Sequence, residues 1–158
     1  MESYLDSKTT IEETVKLLPK QVQEDIKYFF EKTKTNPKWY ATYNFKYTYN
    51  GLGVYRLNFS KPDIWRINFT LAKPDKLNDV LMTIHDELRT FFICNLRKCK
   101  HCNPKHGNGG RFIILDNEYF VCAEPEIEIE NPSISDVDML CKFFEIRKNI
   151  IKEIKATK

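Results

Sequence analysis

The residues in this chain best suited to chemistry are its thiols. Cys99-Lys100-His101-Cys102 is a C-x2-C, His106 lies four residues on, and Cys122 lies twenty on. A C-x2-C turn sets two sulfurs on one side of a metal, and zinc asks for four N or S ligands at tetrahedral corners. Cys99, Cys102, His106 and Cys122 would supply a Cys3His set for Zn²⁺, with Asn108-Gly109-Gly110 letting the chain bend between them. Cys94 and His101 are the alternative fourth ligands. His101 is the poorer one, because it sits inside the turn. Lys98, Lys100, Lys105 and Arg111 surround the motif and would help keep thiolates deprotonated. Thioredoxin-type redox chemistry places such a motif between a strand and a helix start. Here it follows a helical pattern and precedes a glycine-bearing loop. The five cysteines are an odd number, which speaks against a disulfide framework. Cys141 falls on a helical apolar stripe and reads as core.

A second candidate is cationic. Lys46, Arg56 and Arg66 fall on the polar side of three alternating segments, beside Asn58, Asn68 and Thr42. Read from that pattern alone, the face has three cations and no acid, and it would suit an anionic ligand. Glu126, Glu128 and Glu130 share one face of another strand and read as a solvated edge. His85 with Asp86 and Glu87 reads as a helix start. The sequence has no Ser-His-Asp spacing, phosphate-cradling glycine loop or H-E-x-x-H. No catalytic residue is assigned.

The elements that must position these groups follow from periodicity. Residues 9–35 carry helical spacing broken at Pro19, which predicts helices over 9–17 and 19–34. Residues 38–72 switch to period two. Trp39, Ala41, Tyr43, Phe45, Tyr47 and Tyr49 alternate with polar neighbours as one strand; Tyr55, Leu57 and Phe59, then Trp65, Ile67, Phe69 and Leu71, make two more. Asn50-Gly51 is a hairpin signal and Lys61-Pro62-Asp63 a second turn. The aromatic row on this meander is expected to pack under helices. Helix returns over 75–97 with a possible break at Ile84-His85, residues 98–110 are a loop, and strands follow at 112–115, 119–121 and 126–130. A C-terminal helix starts from Ser133 or Ser135.

Composition bounds the function classes. The chain has 158 residues and a formal net charge of +3, too weak to argue for nucleic acid by itself. The element order also differs from an RNA-recognition sheet, so nucleic acid is not expected as a partner. Charge is local: 97–111 holds five cations and no acid, while 116–138 holds only acids, and the two are expected to offset within one fold. No apolar run reaches ~18 residues, so no membrane helix is expected. The N-terminal residues lack a signal-peptide pattern, which leaves the cytoplasm as the expected compartment. Lys, Ile and Asn far outnumber Ala, the bias of an AT-rich genome such as a bacterial one.

Two helices, an aromatic meander, a helix, a further strand and a C-terminal helix with Arg147 resemble the small YdhG-like bacterial domains; segments 39–71 and 126–152 carry the likeness. The insert KCKHCNPKH, with FVC at 120–122, is similar to that of uncharacterised clostridial cysteine-motif proteins, in which a further cysteine stands in place of His106. The insert is not part of the YdhG-like pattern. The resemblance implies an architecture and no activity.

The expectation is one α+β domain over 1–158, an antiparallel meander covered on one face by helices 19–34, 75–97 and 134–155, with a zinc-clamped subregion at 94–124. The expected function is non-enzymatic binding of a small molecule or protein partner. The alternative is a small cytoplasmic enzyme using a cysteine or zinc near 94–122.

Overall fold

A computed structural model describes residues 9–61, 63–98, 109–122 and 124–157. The chain opens with α1 (Ile11–Lys16) and α2 (Lys20–Thr33), separated at Pro19 as the periodicity predicts. Thr10 and Glu13 form a capping box at the start of α1. Lys34, in the left-handed region at φ 51°, closes α2 by donating to the Phe30 carbonyl.

The predicted first strand is two. β1 (Lys38–Ala41) and β2 (Asn44–Tyr49) fold back on each other through a turn at Thr42-Tyr43, with Tyr43 at φ 61°. The side-chain amide of Asn44 donates to the Thr42 carbonyl and holds the turn. Alternation runs unbroken through these residues, and no glycine or proline marks the reversal. The consequence is that Trp39 and Tyr40 leave the sheet interior for an edge strand, 40% and 56% exposed. The Asn50-Gly51 turn is as expected. Both residues have positive φ, 49° and 79°, the geometry of a type I′ hairpin.

β3 (Leu52–Lys61) and β4 (Ile64–Phe69) complete the meander. Helix α3 (Pro74–Thr83) ends where Ile84 turns extended, and α4 (Asp86–Cys94) starts after His85 with two acids in its first turn. Arg89 seals the break by donating to the Leu81 and Ile84 carbonyls. β5 (Gly109–Ile114) and β6 (Asn117–Cys122) make a separate hairpin. Asn78 of α3 grips its tip, donating to the Ile113 carbonyl and accepting from the Leu115 N–H.

β7 (Ile127–Glu130) then returns to the first sheet and pairs antiparallel with β4, giving the order β1-β2-β3-β4-β7. The meander is thus part of a five-stranded sheet. β7 is not a bare edge, because residues 95–97 lie along its far side. The Arg97 N–H donates to the Glu126 carbonyl and the Glu128 N–H to the Asn95 carbonyl. α5 (Ile134–Ala156) closes the chain, its start fixed by a capping box between Ser133 and Asp136.

The α+β class follows directly from this arrangement. One face of the sheet presents Phe45, Tyr55, Leu57, Phe59, Trp65, Ile67, Phe69, Ile127 and Ile129, all buried. Phe29 of α2 meets the Tyr55 ring edge-on at 5.2 Å, and Phe143 of α5 packs against Phe69, Phe91 and Phe92. The aromatic row therefore packs under helices as expected. The buried Tyr55 hydroxyl is satisfied by Thr35, which in turn bonds Thr33 at 2.8 Å. Among the described residues no helix is long and apolar enough to cross a membrane.

Asn131 joins β7 to α5. At φ 45° it accepts from the Trp65 N–H through its side chain, while its own N–H donates to the Trp65 carbonyl. Asn131→Ala should cost about 2 kcal/mol, from a left-handed Cβ and a lost hydrogen bond together. Asn131→Gly should recover about half of that, because glycine tolerates the backbone. Urea denaturation of both variants checks this; equal losses would show that the backbone conformation contributes nothing.

Candidate functional site

Side chains on the other face of the sheet alternate outward from β2, β3, β4 and β7. Strand register sets who meets whom: Arg66 stands opposite Glu130, and Asn68 opposite Glu128. Arg56 reaches both Glu126 oxygens through Nη2, at 2.7 and 2.9 Å. Arg97 binds Glu126 from the other side at 2.6 Å and Glu128 at 3.1 Å. Asn68 donates to Glu128 at 2.9 Å, and Arg66 is ion-paired with Glu130.

The expectation of a face with cations and no acid is therefore corrected. The acids arrive from β7, distant in sequence, which pairs with β4. Its Glu-Ile-Glu-Ile-Glu alternation is equally compatible with a solvated edge, so the pattern alone could not place it. The expected offset between the basic and acidic segments is realised here by Arg97, and again where Arg111 meets Glu118 at 3.4 Å on the second hairpin.

Toward one end of this face, where β3 begins and β4 runs out, a cavity of about 310 Å³ opens. Lys46, Arg56, Arg147, Tyr40, Thr70 and Glu124 are among its lining residues. Arg147 reaches it from α5 and is only 5% exposed. Its Nε and Nη2 donate to the Gly53 carbonyl at 3.3 and 3.0 Å, and Nη1 donates to the Leu71 carbonyl at 3.4 Å. The guanidinium thus ties the helix to the ends of two strands. No described carboxylate lies within ion-pair distance of it. Burial lowers the Arg147 pKa from its ordinary value, and the charge of Glu124 acts in the opposite direction.

Lys46 crosses the same floor, with its ammonium 5.3 Å from the centre of the Tyr40 ring. Gly53 leaves room for it: a Cβ there would lie 3.3 Å from Lys46 Cε. Of the three expected ligand-binding cations, Lys46 and Arg56 meet at the cavity, whereas Arg66 is not part of its lining. Arg147 was not among the expected site residues. A signal for it exists in the sequence, since it interrupts the buried stripe Leu140, Phe144, Arg147, Ile151 on the C-terminal helix.

Cys99, Cys102 and His106, and the alternative His101, lie outside the described residues. Cys122 closes β6, where its backbone pairs with Gly109. Lys98 forms an isolated antiparallel bridge with Val121. The last described residue before segment 99–108 and the first after it are therefore both fastened at the end of β6. Cys94 is a free, exposed thiol at the end of α4. Cys141 is half-buried, and desolvation pushes its thiol up to about 11, with the neighbouring Asp138 adding to the effect. Among the described residues no three His, Cys, Asp or Glu side chains are grouped to hold a metal.

No protein-family model matches the chain, and no curated protein or solved structure matches it.

Two of the carboxylates paired on the outer face differ in burial: the Glu126 side chain is 9% exposed and that of Glu130 is 51%. Glu126→Gln strands Arg56 and takes from Arg97 one of its two carboxylate partners, and should lose about 1–3 kcal/mol. Glu130→Gln should lose less than about 1 kcal/mol. Chemical denaturation at low salt reads the difference, and an equal effect would remove Glu126 from its central role.

A raised thiol pKa favours the neutral, unreactive form. With a pKa of about 11, Cys141 is ~0.1% thiolate at pH 8, and its reactive fraction rises about tenfold per pH unit toward 10. Iodoacetamide at pH 8 followed by peptide mapping should label Cys94 well before Cys141. Equal labelling at pH 8 would contradict the burial of that thiol.

Proposed function

We propose that this chain is a non-enzymatic binding domain with a structural zinc ion fastening its second hairpin. The observation that carries the binding reading is the outer-face cavity where Lys46, Arg56 and Arg147 meet. Arginine does not give up its proton at any ordinary pH, so guanidinium groups hold a ligand by charge and hydrogen bonds and do not shuttle protons. Glu126 is engaged by two arginines and serves to fix them. Arg66 stands on the same face but is neutralised by Glu130 and lies outside the cavity lining. The partner is a small molecule or a protein that presents negative charge.

The zinc reading rests on the donor set and on the anchoring of its flanks. Three thiols and an imidazole are a closed tetrahedral shell for zinc. Lys98 and Gly109, which bracket segment 99–108, both pair at the end of β6 beside Cys122. A ligand set of Cys99, Cys102, His106 and Cys122 would then tie that segment to the strand that already anchors both its flanks. Four protein ligands leave no open position, so the metal would supply stability and no chemistry. Reduced thiols at Cys94 and Cys141 suit a reducing, cytoplasmic setting.

Metal analysis of untagged protein should find about one zinc per chain, retained until a strong chelator is added. Cys102→Ser should lose the metal and melt at lower temperature, whereas Cys141→Ser should keep it. Less than about a tenth of an equivalent of zinc, with all five thiols titrating freely, would overturn the metal reading.

A further inference from the structure

We infer that the cavity at the start of β3 binds a compact phosphate monoester, held by Lys46, Arg56 and Arg147. This deepens the binding reading above and rests on it. The cavity's size of about 310 Å³ sits at the lower end of small-molecule sites, which favours a compact ligand over a dinucleotide.

The donors argue for the chemical class. Arg147 is buried, and its three hydrogen bonds all run to neutral backbone carbonyls. A guanidinium has five N–H groups, so two remain for another acceptor. A buried cation answered by carbonyl dipoles and by one solvent-exposed carboxylate, Glu124, outside ion-pair distance is under-compensated, and an anion in the cavity would complete it. Lys46, on β2, has no described carboxylate within ion-pair distance, only the face of Tyr40. Arg56, on β3, uses Nη2 for Glu126 and keeps its other nitrogens. Thr70 adds a hydroxyl to the lining.

A planar carboxylate is best met by one free arginine fork, with two parallel N–H groups in one plane. Arg56 spends Nη2 on Glu126 and Arg147 spends Nε and Nη2 on Gly53, so neither offers its side-on fork. What remains are separate donors from three different elements, an arrangement that suits the oxygens of a tetrahedral group. The two glutamates at the site do not cancel this charge. Glu126 is neutralised by Arg56 and Arg97, and Glu124 is exposed to solvent at the rim. Tyr40, more than half exposed beside Lys46, offers a ring face to the non-phosphate part of the ligand.

Titration calorimetry on the zinc-replete full chain, at matched ionic strength, tests the inference with glycerol phosphate, inorganic phosphate and succinate. Glycerol phosphate should saturate with Kd below about 1 mM and raise the melting temperature, and succinate should not. Lys46→Met keeps the aliphatic stem and should weaken binding about tenfold or more without lowering the ligand-free melting temperature. Arg147→Lys should weaken it as well; if that variant fails to fold by circular dichroism, Lys46→Met decides. Lys76→Ala, on the exposed side of α3, should bind like the parent. Glycerol phosphate binding untouched by Lys46→Met would place the site elsewhere and overturn this inference while leaving anion binding intact. Succinate binding in preference to the phosphates would overturn the ligand class alone. Binding of none of the three would overturn both this inference and the anionic-ligand reading beneath it. Inorganic phosphate binding as well as glycerol phosphate would support the site and show that the phosphoryl group provides the recognition.

Discussion

Glu126 holds an arginine on each side, one from the meander and one from the segment that leaves α4. That double pairing depends on β7 lying antiparallel to β4, and much of the molecule depends on the same alignment. It sets Asn68 against Glu128 and Arg66 against Glu130. It brings residues 95–97 alongside β7, and so fixes where segment 99–108 departs. A shift of one residue would turn Ile127 and Ile129 outward and bury three carboxylates under the helices, which no rearrangement of side chains could repair. The hydrophobic alternation and the charge pairing thus enforce one register from opposite faces of the sheet.

The sequence revealed the elements more readily than their neighbours. Pro19 separated two helices because proline tolerates only a first turn. Asn50-Gly51 marked a type I′ hairpin because positive φ is required at both positions. The break at Ile84-His85 was visible in the fresh acidic turn that follows it. By contrast, the reversal at Thr42-Tyr43 uses residues that are also good in strands, and Tyr43 carries a positive φ with no glycine to announce it. The union of β7 with β4 is a long-range event, and local pattern carries no information about it.

The candidate site divides along the same line. Lys46 and Arg56 were legible because strand alternation fixes which way a side chain faces. Arg66 shares that alternation but meets Glu130 through a pairing that only the assembled sheet defines. Arg147 belongs to a helix, and it is buried where the Gly53 carbonyl of β3 and the Leu71 carbonyl just past β4 accept its hydrogen bonds. A cation on an apolar stripe is the trace such an arrangement leaves in a sequence, and here it coincides with the one cavity wall supplied by α5.

The sheet also has two unlike borders. On the β7 side, main-chain hydrogen bonds are already taken by residues 95–97. On the other side stands β1, four residues long, irregular in its pairing and carrying Lys38. Residues 95–97 occupy main-chain groups of Glu126 and Glu128 at one border, and shortness, irregular pairing and Lys38 blunt the other, so neither border presents a long flat template for edge-to-edge association.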